Sequence, residues 1–311
     1  MSAPRFPAVA LHRGHYESYY LRAADPASGR SAWIRHTVFK RPGGPPTGAL
    51  WCTLFDAAEP EPRAVKQSLP DPRAGDWLEL GPSHIGPAGA RGRAEALGRS
   101  AAWELSFAPA SAPLRHLPHP KLYDAPLPRT KTESPLPDTT ISGWVEAGGE
   151  RWELDGWPGM LGHNWGAEHA ERWIWLHGVG FDGAPDAWLD VALGRVRMGP
   201  LTTPWIANGA LHLDGERIRL GGLGRRARVD ERPDGGRVEV SGVRIEVRAA
   251  PLVSWLYSDP SGGEHRSTNC SIAALDLSTR GRTLRTAHGG AWELGTREPP
   301  AGVTVQPFPD P

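Results

Sequence analysis

Apolar and polar positions alternate with a period of two along most of the chain, the pattern of strands with one face buried. The runs 16–24, 31–40, 48–56, 101–108, 172–181, 187–198, 238–248 and 267–277 all show it, each bounded by Gly, Pro, Asp or Ser. No amphipathic helix longer than two turns stands out. Asp214-Gly215 predicts a hairpin between 210–213 and 216–220, and Asp234-Gly235-Gly236 predicts another between two charged strands. The segment 109–137 is Pro-rich and without period. Because Leu114, Leu117, Leu122, Tyr123 and Leu136 still offer side chains to bury, it reads as an ordered, extended connection. From 140 to 166 the strand pattern returns. An antiparallel all-β protein follows, and closing its sheets into barrels would remove the exposed edges that so many strands create.

Composition narrows the class. Gly (38) and Pro (32) among 311 residues punctuate too densely for long helices. Thirty-five basic and 35 acidic side chains cancel, which gives no reason to expect a nucleic-acid partner. Cys52 and Cys270 stand far apart in no metal or disulfide pattern and read as small buried hydrophobes. The start lacks the apolar core of a signal peptide, and no apolar run is long enough for a transmembrane segment, so a cytoplasmic protein is the expectation. Trp is the unusual count: 14, against five Tyr and six Phe. So many large rings, each with one donor, point to a lined cavity as well as a core.

The segment Gly156-Trp-Pro-Gly-Met-Leu-Gly-His-Asn-Trp-Gly166, followed by Trp173-Ile-Trp175 and Ala187-Trp-Leu-Asp-Val191, resembles the carotenoid hydratase, tocopherol cyclase and AttH-like group. The ends, around 15–22 and 289–295, are similar to that group as well. The resemblance implies two lipocalin-like β-barrels packed side by side, here 1–168, including the connection 109–137, and 169–311. It also implies hydratase or cyclase chemistry on an apolar isoprenoid, polyene or polyketide-like molecule. The chain departs from the group's motif at the site itself. Gly162 stands where relatives have Asp, Asn164 where many have Glu, and Trp188 where hydratase-like members tend to carry Tyr. Fold therefore transfers more readily than activity.

Strand parity supplies a reading of the chemistry that does not depend on the resemblance. His163 and Trp165 share one face, Trp188 and Asp190 share one, and Trp173, Trp175 and His177 point together. These groups are expected to meet in one apolar cavity, with Asn164 and Tyr19 also contributing to substrate binding. A carboxyl among Trp rings is held neutral by desolvation, so Asp190 is the candidate acid. A resulting cation would lie against Trp165, Trp173 and Trp188. His163 would hold the proton of Asp190 or activate a water, and a buried Glu17 would share the acid and base roles. The alternative for Asp190 is a structural pair, with Arg35 as the partner considered.

No glycine-rich nucleotide loop, G-x-S-x-G or H-E-x-x-H motif is present, so neither a cofactor nor a metal is expected. Two readings stay open. One is an acid-base enzyme, a hydratase or a cyclase. The other is a lipocalin-like carrier whose aromatic residues only line a pocket for a hydrophobic ligand.

Overall fold

The computed structural model describes residues 3–199, 201–222, 224–298 and 302–309; the outermost residues of the two expected domains, 1–2 and 310–311, lie outside them. Two antiparallel sheets account for nearly all regular structure. The first has twelve strands and runs from His15 to Gly166; the second has ten strands between Arg172 and Thr296. The first curls until its edge strand Arg63–Pro70 returns to Gly89–Ala96, where Glu95 N donates to Gln67 Oε1 (2.9 Å). In the second, Gly221 N reaches Ser241 Oγ (3.0 Å) across the corresponding gap. The all-β, lipocalin-like architecture is thus observed, with only two short 3₁₀ turns, Phe6–Ala8 and Pro120–Tyr123, as helical elements among the described residues.

Period-two burial explains the strands. Arg99–Pro109 buries Ala101, Trp103, Leu105 and Phe107 and turns the intervening residues outward. Asp214-Gly215 forms the expected hairpin turn, both residues at positive φ. Three expectations need correction. The run 238–248 is two strands, Gly235–Val240 and Val243–Arg248, because Ser241-Gly242 also takes up positive φ and turns the chain. The neighbouring turn is made by Pro233-Asp234, while Gly235 and Gly236 already belong to the ladder. The connection ends early: Thr130–Ala147 is one long strand, and only the stretch before it, with Leu114 and Leu117 buried, wraps over the space between the sheets.

Six strands position the site. Glu150–Gly166 pairs with His15–Asp25 and sets Tyr20 opposite Gly162, Ser18 opposite Asn164 and Tyr16 opposite Gly166. In the second sheet Trp175 stands level with Ala192 on one side and Glu293 on the other, and Ala192 with Asn208. The facing sides of these sheets are tied together by Arg22, fully buried, which donates to Ser271 O (2.7 Å) and Gly290 O (2.9 Å) and meets His177 Nδ1 (2.9 Å). Both cysteines are buried, and burial pushes each thiol up to about 12.

Candidate functional site

Between the sheets lies a cavity of about 700 Å³. The first sheet contributes Tyr16, Tyr20, Trp33, Arg35 and Asn164, the second Trp173, Trp175, Leu193, Asn208 and Glu293, and the connection Leu117, Leu122, Leu127 and Pro128. Two glycines shape the aromatic walls. A Cβ at Gly162 would lie 2.2 Å from the Tyr20 ring, and one at Gly295 would lie 2.0 Å from Trp173, so each ring lies against a bare backbone. At 162 Tyr20 occupies the space that any side chain would need. With Asn at 164, neither of these two cavity-side positions supplies an acid.

The two cavity tryptophans of the second sheet are each held by a carboxylate. Trp173 Nε1 donates to Glu293 Oε1 (2.8 Å), and Trp175 Nε1 donates to Asp190 Oδ1 (3.1 Å). Tyr20 meets Trp175 edge-on at 5.5 Å. Arg35 Nε donates to Ser18 Oγ (3.0 Å), its guanidinium also bonds Tyr257 Oη, and it lies 4.8–5.2 Å from the rings of Trp33, Trp51 and Tyr257. A cation held this way is oriented rather than swinging.

The titratable pair at the cavity wall comes from outside the strands. His169 lies in the turn between the sheets and stacks on Tyr16 at 3.9 Å. Its ring Nδ1 is 2.7 Å from Asp259 Oδ1, which also accepts the His169 backbone N–H (2.8 Å). His265 Nε2 meets the other oxygen at 2.9 Å. Burial pushes Asp259 up, but the bonds from His169 and His265 outweigh it and hold the carboxyl well below its ordinary range. Burial also lowers His169, against the pull of Asp259, so the imidazole is neutral near pH 7. With Nδ1–H donated to a carboxylate, Nε2 carries the lone pair. A neutral, oriented imidazole beside an apolar cavity is equipped to accept a proton.

Three of the sequence-derived site residues line this cavity: Asn164, Trp173 and Trp175. Four others lie on the opposite face of the first sheet. There His163 is stacked between Tyr19 (4.1 Å) and Trp165 (4.4 Å), with Nε2 2.8 Å from Glu17 Oε1. Glu17 also accepts the backbone N–H groups of Arg5 (2.9 Å) and Phe6 (2.8 Å), which fastens the start of the chain. Burial raises this carboxyl, but its donors, His15 and His163 foremost, bring it down to about 2.

Asp190, His177 and Trp188 lie on the side of the second sheet that faces the first, but beyond Trp175, where the cavity has ended. The expectation that Asp190, His163 and Trp165 share one cavity is therefore corrected: alternation pairs side chains on a face without saying which face looks where. A neutral Asp190 is corrected too. Burial pushes it up, yet His116 and His177 and the Ser134 hydroxyl more than compensate and hold it below the ordinary carboxylate range. His116 Nε2, 3.3 Å from Oδ1, takes the place considered for Arg35. His177, lowered by burial and Arg22 to about 3, is neutral. Trp188 stacks against His212 at 5.6 Å. Among the described residues no group of three or more His, Cys, Asp or Glu converges as a metal site requires.

No protein-family model matches the chain. An uncharacterised Mycobacterium tuberculosis protein, Rv0493c of strain H37Rv, is 29% identical over 94% of this chain and 89% of its own length. Among solved structures, CghA superposes with a TM-score of 0.59 at 11% identity, over 91% of this chain and 88% of CghA. A Nitrosomonas europaea protein described as an AttH gives 0.52 at 12% identity, over 92% of each chain. Kievitone hydratase from Nectria haematococca gives 0.53 at 9% identity, over 92% of this chain and 89% of the hydratase. At these identities the likeness is one of fold.

Proposed function

We propose that this chain, which has the fold of AttH-like structures, is an acid-base enzyme of the hydratase type, acting on an apolar small molecule held between its two sheets. The observation that carries the reading is the neutral His169 imidazole, oriented by ionised Asp259 at the wall of an aromatic cavity of about 700 Å³. That kievitone hydratase shares the fold is in keeping with it. Isoprenoids, polyenes and polyketide-like molecules are the substrate class suited to such walls.

In this mechanism His169 Nε2 takes a proton from water as the oxygen adds to a carbon–carbon double bond conjugated with a carbonyl group of the substrate, which takes up the displaced electron pair. The imidazolium, stabilised by Asp259, returns the proton to the neighbouring carbon. An internal hydroxyl in place of water would close a ring. Arg35 and Asn164 orient the polar end of the substrate, and Trp173 and Trp175 clasp its apolar body. Asp190, His163 and Glu17 act at one remove: Asp190 sets the Trp175 ring, and the Glu17–His163 pair stiffens the strand pair that carries Tyr16 and Asn164.

The test incubates the protein in oxygen-18 water with kievitone, a linear polyene and a long-chain isoprenoid, the last two carrying a conjugated carbonyl, following Trp quenching and product mass. A bound ligand that gains one labelled oxygen supports the reading. His169→Gln should then bind with similar affinity while turnover falls roughly 10²- to 10⁴-fold. Turnover retained by that variant would remove His169 from the mechanism. Ligands bound and returned unmodified by the wild type would make the protein a carrier.

A further inference from the structure

Five large hydrophobic side chains are prominently exposed among the described residues: Leu11, Leu97, Leu127, Leu201 and Ile206. Three of them gather where the cavity opens. Leu127 and Ile206 line it while 55% and 39% exposed, and Leu201, 71% exposed, sits in the small hairpin of Arg197–Met198 and Leu201–Thr202, between the cavity-lining Gly199 and Thr203. A chain that buries its apolar residues so thoroughly elsewhere leaves this collar uncovered.

Three arginines beside the collar have no ion-pair partner among the described residues. Arg197 lines the opening, and the loop that follows the cavity-lining Gly222 carries exposed Arg225 and Arg226, with Arg225 N bonded to Gly222 O (3.3 Å). Among the described residues Arg197 and Arg226 have no ion-pair partner, and Arg225 meets only the hydroxyl of Ser241. The nearby acids are already engaged: Glu168 with Arg129, and Glu171 with Arg297. Since the chain as a whole is neutral, this free positive charge is a local surplus.

We propose that this collar docks on an anionic lipid surface, so that an apolar substrate passes from the bilayer into the cavity without crossing water. The inference rests on the reading of the cavity as a site for an apolar molecule. Leucine and isoleucine side chains would enter the interfacial layer while the arginines meet lipid phosphates, the division of labour of an interfacial anchor. The docking is peripheral: no helix among the described residues is long and apolar enough to cross a membrane.

Co-sedimentation with vesicles of phosphatidylcholine, with and without one-third phosphatidylglycerol, tests the proposal. Binding should require the anionic lipid and weaken with salt. Arg225→Gln with Arg226→Gln should lower partitioning roughly 25-fold, about fivefold for each arginine near such a surface. Leu127→Ser with Leu201→Ser should lower it at least tenfold while the melting temperature stays put, since both side chains are exposed. No sedimentation of the wild type, or equal sedimentation with neutral vesicles, would overturn the proposal. So would light scattering that shows a dimer which the leucine substitutions dissociate, because the collar would then be a contact between copies. Vesicle binding is read without turnover, so it fails or succeeds separately from the role of His169.

Discussion

Replacing Asp190 with Asn separates a reacting acid from a structural anchor. The carboxylate is buried and takes the Ser134 hydroxyl, the Trp175 indole N–H at 3.1 Å and His116 Nε2 at 3.3 Å. An amide of the same shape keeps one acceptor oxygen and turns an NH₂ toward groups that are themselves donors, and it leaves His116 Nε2 without its carboxylate partner. Breaking a buried pair of this kind costs about 3 to 5 kcal/mol. Unfolding entropy of about 2.1 cal/mol/K per residue gives roughly 0.65 kcal/mol/K for a chain of this length, so the melting temperature should fall by about 5 to 8 °C. The loss should depend on pH in a definite sense. The folded carboxyl lies below its unfolded range, so its stabilisation is present above the unfolded value and disappears as pH falls through the folded one. Wild type and variant should therefore converge in acid. Thermal melts of both proteins from neutral pH downward, with turnover measured on the same preparations, supply the comparison. An unshifted melting temperature with turnover lost by several orders of magnitude would refute the structural assignment and make Asp190 the proton donor.

Further outcomes follow from other parts of the site. Glu17→Gln should cost about 3 kcal/mol at neutral pH, since the folded carboxyl lies near 2 against an ordinary 4.5 and each unit is worth about 1.4 kcal/mol; limited proteolysis should then cut near Arg5, and protection unchanged from wild type would contradict the anchoring role. That stabilisation should hold above about pH 4.5 and vanish as pH falls through about 2, as acid titration of the two proteins would show. Gly162→Ala should destabilise by about 1 to 3 kcal/mol in urea melts, because the new methyl meets the Tyr20 ring; Tyr20→Ala in the same chain should relieve part of it, and a purely additive double variant would contradict the contact.

The strands were legible because burial alternates cleanly along them, as in Arg99–Pro109. One turn is marked only by a change of phase: the apolar positions move from 238 and 240 to 243, 245 and 247 across Ser241-Gly242, a one-residue slip easily lost in a run that alternates on both sides of it. At the site, parity grouped His163 with Trp165 and Trp173 with Trp175, but it does not determine which face meets the second sheet; that depends on how the curled sheets pack. Asn164, not His163, looks into the cavity. His169 and Asp259 escaped detection for a simpler reason. Both lie in turns, where no period operates, and 90 residues separate them. Burial of Asp190 was readable from Trp-Leu-Asp-Val-Ala, whereas its partner His116 belongs to the aperiodic connection.

Arg22 bears on how this molecule could be taken apart. Its guanidinium comes from the first sheet, and the acceptors it reaches, Ser271 O, Gly290 O and His177 Nδ1, belong to the second half of the chain. A fragment ending at Gly166 would bring a cation to a broad apolar surface with none of those acceptors, and the complementary fragment would present orphaned carbonyls in return. Each piece made alone should be insoluble or molten, and the two co-expressed should reassemble into one particle. For anyone building chimaeras within this fold, the exchangeable unit is the pair of sheets together, and recombination at the linker will succeed only between parents that keep both the arginine and its acceptors.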